Sequence, residues 1–122
     1  AYARNSILTL LPPWYITQNA DRIDALEGYL AGADQPVEIM ESRIDAICAY
    51  DRRARTADIK APTLVIVAED DMVTPRYLSD ELADNVPGAE KVIVPTGGHF
   101  VIHVEIDAYN SAVRDFLDRH PM

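Results

Sequence analysis

The residues best suited to chemistry lie in two short segments, Glu69-Asp70-Asp71-Met72-Val73-Thr74-Pro75 and Gly97-Gly98-His99-Phe100. Each follows a β-branched apolar run, Thr63-Leu64-Val65-Ile66-Val67-Ala68 and Lys91-Val92-Ile93-Val94, that reads as a strand. An acid and an imidazole just past the carboxyl ends of parallel strands stand where open α/β sheets place their ligands. The ordinary imidazole pKa of about 6.5 lets a histidine take and release protons near neutrality, and paired glycines let its loop turn sharply. Taken singly, a double Asp in a strand-to-helix loop also serves turns and caps, and a loop His is also met as a solvated or packed residue. Together, an acid after one strand and a His after the next are the last two members of the order Ser, Asp or Glu, His. A metal site on Asp70, Asp71 and His99 is the weaker reading. Neither a metal nor an organic cofactor is expected. His103, four residues past His99, and His120, in the tail, are lesser candidates.

These side chains require a sheet to carry them. Thr63–Ala68 has no polar alternation, which predicts a strand buried on both faces. Thr74-Pro75 is expected to cap the next helix, with Leu78, Leu82 and Val86 along one face and Val86-Pro87-Gly88 at its end. Pro95 stops the second strand, a long loop reaches His99, and a last helix is capped by Asp107 with Tyr109, Val113, Phe116 and Leu117 on one side. This is a βαβα unit with parallel strands. Residues 1–57 show helical periodicity and no convincing strand, with breaks at Leu11-Pro12-Pro13 and Gly32-Ala33-Asp34, which predicts three helices. The second runs from about Asn19 to Ala31 with Ile23, Leu26 and Leu30 on one face, and the third is capped by Asp34 with Pro36 in its first turn. Met40, Ile44, Ile47 and Cys48 then form a stripe expected to be buried, with Cys48 as a small core residue. The run Asp51-Arg52-Arg53-Ala54-Arg55 reads as a solvated helix end rather than an anion site.

The 48% hydrophobic content over 122 residues argues for one ordered domain. A balance of 11 Lys+Arg against 20 Asp+Glu, −9 in all, repels phosphate backbones and anionic membrane surfaces, so neither nucleic acid nor membrane is an expected partner. No run approaches the ~20 apolar residues of a bilayer span, and a single cysteine suits a reducing compartment. A cytoplasmic location is the simplest inference. Two strands are too few for a sheet that is apolar on both faces, and the chain opens at Ala1 already inside a helical pattern. The expectation is therefore an incomplete fold, completed by another chain, another copy or a missing half.

From about Ile59 to Leu117 the sequence resembles the closing segment of the α/β-hydrolase family. The matching features are Ala61-Pro62-Thr63-Leu64-Val65-Ile66, Glu69-Asp70-Asp71 with Pro75, Gly97-Gly98-His99-Phe100 and a terminal helix. The resemblance implies the C-terminal part of an α/β-hydrolase fold, with a helical cap at 1–57 and the last portion of the core at 58–122. In relatives with this loop the acid is the Asp four residues before the Pro, which assigns it to Asp71, with His99 as the base. Leu11-Pro12-Pro13-Trp14 and the charged run before Ile59 resemble the cap of the enol-lactonase-like and aminoacrylate-hydrolase-like branch. Trp14, Tyr15 and Phe100 are then expected to line a substrate pocket. The family's Gly-x-Ser-x-Gly elbow is absent, since Ser6, Ser42, Ser79 and Ser111 lack its flanking glycines, and so is a His-Gly oxyanion loop.

The implied function is a serine-dependent hydrolase of a small-molecule ester, lactone, amide-like or carbon-carbon bond. This chain would supply acid and base without nucleophile, and alone would be inactive. The alternative is a non-catalytic interaction domain that self-associates through exposed strand edges. In either case a homo-oligomer, or a complex with an N-terminal half, is expected.

Overall fold

A computed structural model describes residues 2–32 and 36–121. Four α-helices come first: α1 (Tyr2–Leu10), α2 (Pro13–Gln18), α3 (Ala20–Ala31) and α4 (Val37–Ala49). A 3₁₀ helix over Arg53–Asp58 leads into β1 (Leu64–Ala68), α5 (Arg76–Asn85), β2 (Glu90–Val94), α6 (Val101–Val104) and α7 (Ile106–Arg119). Among the described residues the expected three N-terminal helices are thus four. Pro13 lies in the first turn of α2, where its fixed φ and missing N–H fit a helix start, so the break after Leu11 restarts a helix at once. The α6 turn also divides what reads in sequence as one long loop before the last helix. Asp107 lies inside the first turn of α7, with Glu105 at the flanking position expected of Asp107. The cap expected at Asp34 lies outside the described residues.

β1 and β2 pair in parallel, Leu64 opposite Glu90 and Ala68 opposite Val94, as the βαβα pattern requires. Ala68, Val94 and Val101 form a buried cluster on which Ile66, Val92 and Tyr109 pack. By the period-two alternation of a strand, Val65 and Val67 point to the opposite face, where both are buried. Leu64 and Ile66 stay only half-buried, so the expectation of a strand covered on both faces fails within this chain. β2 occupies one edge of β1, and among the described residues nothing pairs with the other. A groove of about 540 Å³ runs beside that strand, lined by Leu64, Ile66, Leu82, Tyr109, Val113 and Leu117.

The stripe on α4 is also overturned. Ile44 and Ile47 are 56% and 74% exposed and Cys48 is exposed, so Cys48 is no core residue in this chain. The periodicity forms the helix, but α4 has no extended packing partner among the described residues. The charged run behaves as a solvated connection and not as a helix end: Arg53, inside the 3₁₀ helix, pairs with Asp51 at 2.5 Å and lies 3.9 Å from Glu81 of α5. By contrast α1 packs on α3, with Ala3, Ile7 and Leu11 buried. The end of α1 meets the His99 loop directly: the Phe100 amide donates to the Leu10 carbonyl at 3.1 Å. Among the described residues no helix is long and apolar enough to cross a membrane.

Candidate active site

Asp71 and His99 reach one another from the carboxyl ends of adjacent strands. His99 Nδ1 stands 3.0 Å from Asp71 Oδ2, across 28 residues of sequence. The Asp71 side chain is 7% exposed and that of His99 33%, so the acid is enclosed while the imidazole keeps an open side. A carboxylate only accepts, so the ring donates from Nδ1 and leaves Nε2 to take a proton.

Local structure fixes the position of the Asp71 carboxylate. Asp71 Oδ1 accepts from the backbone amides of Val73 at 2.8 Å and Thr74 at 2.9 Å, an Asx-type turn that starts the loop into α5. Asp71 Oδ2 accepts from Thr74 Oγ1 at 2.9 Å, and the same hydroxyl oxygen lies 3.3 Å from His99 Nδ1. Burial alone would raise the Asp71 pKa, but the bonds from Thr74, His99 and Val73 favour the charged form and hold it below the ordinary value. The expected capping role of Thr74 is therefore displaced: its hydroxyl serves Asp71, and Pro75 flanks the helix without a side-chain cap.

Two glycines place His99. Gly97 at φ +136° and Gly98 at φ +61° occupy backbone regions that side chains disfavour. A Cβ on Gly98 would lie 2.8 Å from the Leu10 carbonyl oxygen, and one on Gly97 would lie 2.9 Å from Val101 Cγ2.

Asp70 faces away from this pair. Its Oδ2 accepts from Thr96 Oγ1 at 2.6 Å and its Oδ1 from the Gly98 amide at 2.8 Å. Glu69 is taken by Arg76 at 2.8 Å. The roles of Thr74 and Thr96 are missed by sequence reasoning, because Thr74 reads there as a helix cap beside Pro75 and Thr96 carries no local signal.

The three residues expected to line a pocket divide. Tyr15 and Phe100 share a cleft of about 230 Å³ with Leu11, Arg22, Ile23 and His103. The Phe100 ring stacks beside His99, centroids 6.4 Å apart, which puts this cleft next to the imidazole. Trp14 is not in its lining; the indole sits edge-on to Tyr15 at 5.7 Å and donates to Thr96 Oγ1 at 2.8 Å. A second cavity of about 350 Å³ lies on the Asp71 side, between Leu11, Pro12, Met72, Asp70 and Gly98. His103 lines the first cleft, with its ring against Phe100. His120 is remote from both, with Nε2 3.0 Å from Glu90 Oε1. Among the described residues no group of three or more His, Cys, Asp or Glu side chains could hold a metal ion.

A parallel strand pair with an acid after the first strand, a histidine after the second and the two side chains bonded defines a class. The chain belongs to the α/β-hydrolases of the TAP-like protein family, whose model matches residues 42–120. It is 35% identical over 116 residues to RutD of Azorhizobium caulinodans, assigned as a carbamate hydrolase, covering 95% of this chain and 44% of that protein. It is 34% identical over 118 residues to the RutD of Caulobacter vibrioides, covering 97% and 44%. Among solved structures the enol-lactonase of Burkholderia xenovorans LB400 superposes with a TM-score of 0.84 at 26% identity, over 96% of this chain and 44% of that one. The chain thus spans less than half the length of these relatives, and its elements are those of the C-terminal part of the α/β-hydrolase fold.

Proposed function

We propose that this chain supplies the general base, His99, and its orienting acid, Asp71, to a serine-dependent hydrolase of small molecules. The observation that carries the reading is the 3.0 Å bond between His99 Nδ1 and Asp71 Oδ2 at the rim of the parallel sheet. His99 Nε2 takes the proton of a serine hydroxyl as that oxygen attacks the substrate's carbonyl carbon. Asp71 stabilises the imidazolium, which returns the proton to the leaving group, and water then repeats the sequence on the acyl-enzyme. The serine and the oxyanion donors come from sequence outside this chain. Residues 1–57 act as the cap, and the cleft of Tyr15, Phe100 and His103 receives the substrate. The names of the relatives favour a carbamate or a lactone. The edge of β1 that is unpaired among the described residues and the apolar groove beside it are the surface on which the rest of the hydrolase, or a second copy, docks.

The test is turnover by the protein expressed from its whole coding sequence, on a panel of short carbamates, lactones and p-nitrophenyl esters. His99→Ala is expected to abolish turnover of whichever substrate is accepted; a His99→Ala protein that keeps its rate refutes the reading.

A further inference from the structure

The geometry points to Asp70, Thr96 and Trp14 as a positioning relay that fixes the His99 loop and ties its placement to the seat of the helical segment. This rests on the reading of His99 as the base. His99 lies between two amides that are each held by a distant group. The Gly98 amide donates to Asp70 Oδ1 at 2.8 Å, and the Phe100 amide donates to the Leu10 carbonyl at 3.1 Å. The first anchor comes from the end of β1 and the second from the end of α1, so the imidazole is suspended between sheet and helices. A loop with two glycines at positive φ has the widest choice of backbone states, and external anchors are what select one of them.

Asp70 does more than hold one amide. Its Oδ2 accepts from Thr96 Oγ1 at 2.6 Å, and Thr96 Oγ1 accepts from Trp14 Nε1 at 2.8 Å. The direction of this chain is unambiguous, because an indole N–H only donates, a carboxylate only accepts, and the single hydroxyl proton between them goes to the carboxylate. The final bond is charge-assisted, so the link at the base of the loop is the stronger one. Trp14 sits in α2, beside the cleft lined by its neighbour Tyr15. A shift of α2 therefore pulls on Thr96, three residues before His99. None of the three side chains hydrogen-bonds to His99 or Asp71, so they hold the base through the backbone of its loop.

The test uses the whole protein and two readouts: kcat with KM, and the downfield ¹H NMR signal of the His99 Nδ1–H bonded to Asp71. Thr96→Ser keeps the hydroxyl and is expected to keep both kcat and the signal. Thr96→Val keeps the shape and removes the relay; since about 1 Å of misplacement can cost on the order of 100-fold, kcat is expected to fall about 10- to 100-fold with little change in KM. The signal should shift or broaden with it. Asp70→Asn keeps an acceptor for Gly98 but turns a donor toward Thr96, and is expected to move the signal with a smaller loss of rate; it decides the matter if Thr96→Val does not fold. Wild-type kcat and signal in Thr96→Val, or in Asp70→Asn should the former not fold, beside a dead His99→Ala protein would overturn the relay and leave the base intact. An active His99→Ala protein would instead overturn the base, and the NMR signal in Thr96→Val would still decide the relay.

Discussion

Replacing Asp71 by Asn tests the site most sharply, because the surrounding bonds dictate how the new amide must sit. Asp71 Oδ1 accepts two backbone amides, from Val73 at 2.8 Å and Thr74 at 2.9 Å. Only the carbonyl oxygen of Asn can occupy that position, since an NH₂ there would face two donors. The NH₂ is thereby forced to the Oδ2 position, 3.0 Å from His99 Nδ1. It donates to that nitrogen, so the imidazole moves its proton to Nε2 and can no longer accept one from a serine. The same NH₂ faces the Thr74 hydroxyl, which must rotate away and lose an acceptor at a cost of about 1 kcal/mol. The fold thus survives while the base is switched off. In the Ser-His-Asp template this wrong tautomer lowers kcat about 10⁴-fold, or about 5.5 kcal/mol of barrier. We expect a loss of about 10³- to 10⁴-fold here, measured as kcat of the whole protein, with ¹⁵N NMR showing the ring protonated at Nε2. A variant within tenfold of wild type, or one whose ring keeps its Nδ1 proton, would refute the reasoning.

Gly98→Ala places a Cβ 2.8 Å from the Leu10 carbonyl oxygen at φ +61°, and strain of about 1–3 kcal/mol is expected in urea melts, with turnover lost as the loop moves; an unchanged midpoint would contradict it. The folded Asp71 pKa lies below the ordinary value of about 3.9, so its stabilising contribution is complete above that pH and is lost as the pH falls through the folded value. Wild type should therefore lose more stability than Asp71→Asn below about pH 4; parallel urea-midpoint curves would show no such contribution, and a steeper loss in the variant would show the sign to be wrong. The isolated 122-residue chain is expected to lack esterase activity and to self-associate in sedimentation, because one β1 edge is unpaired and Ile44, Ile47 and Leu117 are exposed; a compact monomer would contradict this. Cys48 in that chain should react with a thiol reagent without denaturant, and protection there would show that α4 is covered after all.

What was legible in sequence is what leaves a periodic or adjacent trace. The β-branched runs are strands within one residue of their expected starts, and Asp71 and His99 lie within hydrogen-bond distance, because two parallel strands joined by one helix must bring their carboxyl ends together. Burial was less legible. An amphipathic stripe such as Met40, Ile44, Ile47 and Cys48 says that one face of α4 seeks cover, but not that the cover belongs to the same chain. The same holds for Leu82 and Leu117, spaced for burial and still 42% and 55% exposed. Short helices also escape, since α2 and α6 are too brief to show a period. The bonds of Thr96 to Asp70, 26 residues away, and to Trp14, 82 residues away, leave no local signature at all.

Three consecutive carboxylates, Glu69, Asp70 and Asp71, follow β1, and the structure separates them by direction rather than by charge. Glu69 extends the ladder, its amide donating to the Val94 carbonyl at 2.9 Å, and its side chain pairs with Arg76. Asp70 turns toward the loop that precedes His99, and Asp71 toward His99 itself. The assignment follows from what each side chain can reach, since the Asx turn at Val73 and Thr74 rotates Asp71 inward and leaves Asp70 beside Gly98. Of the two adjacent acids, Asp71 is the one that Thr74 holds, through both its amide and its hydroxyl. A loop of this kind tolerates change at the solvent-facing Met72 more readily than at Thr74, because the first carries no bond to the acid and the second carries two.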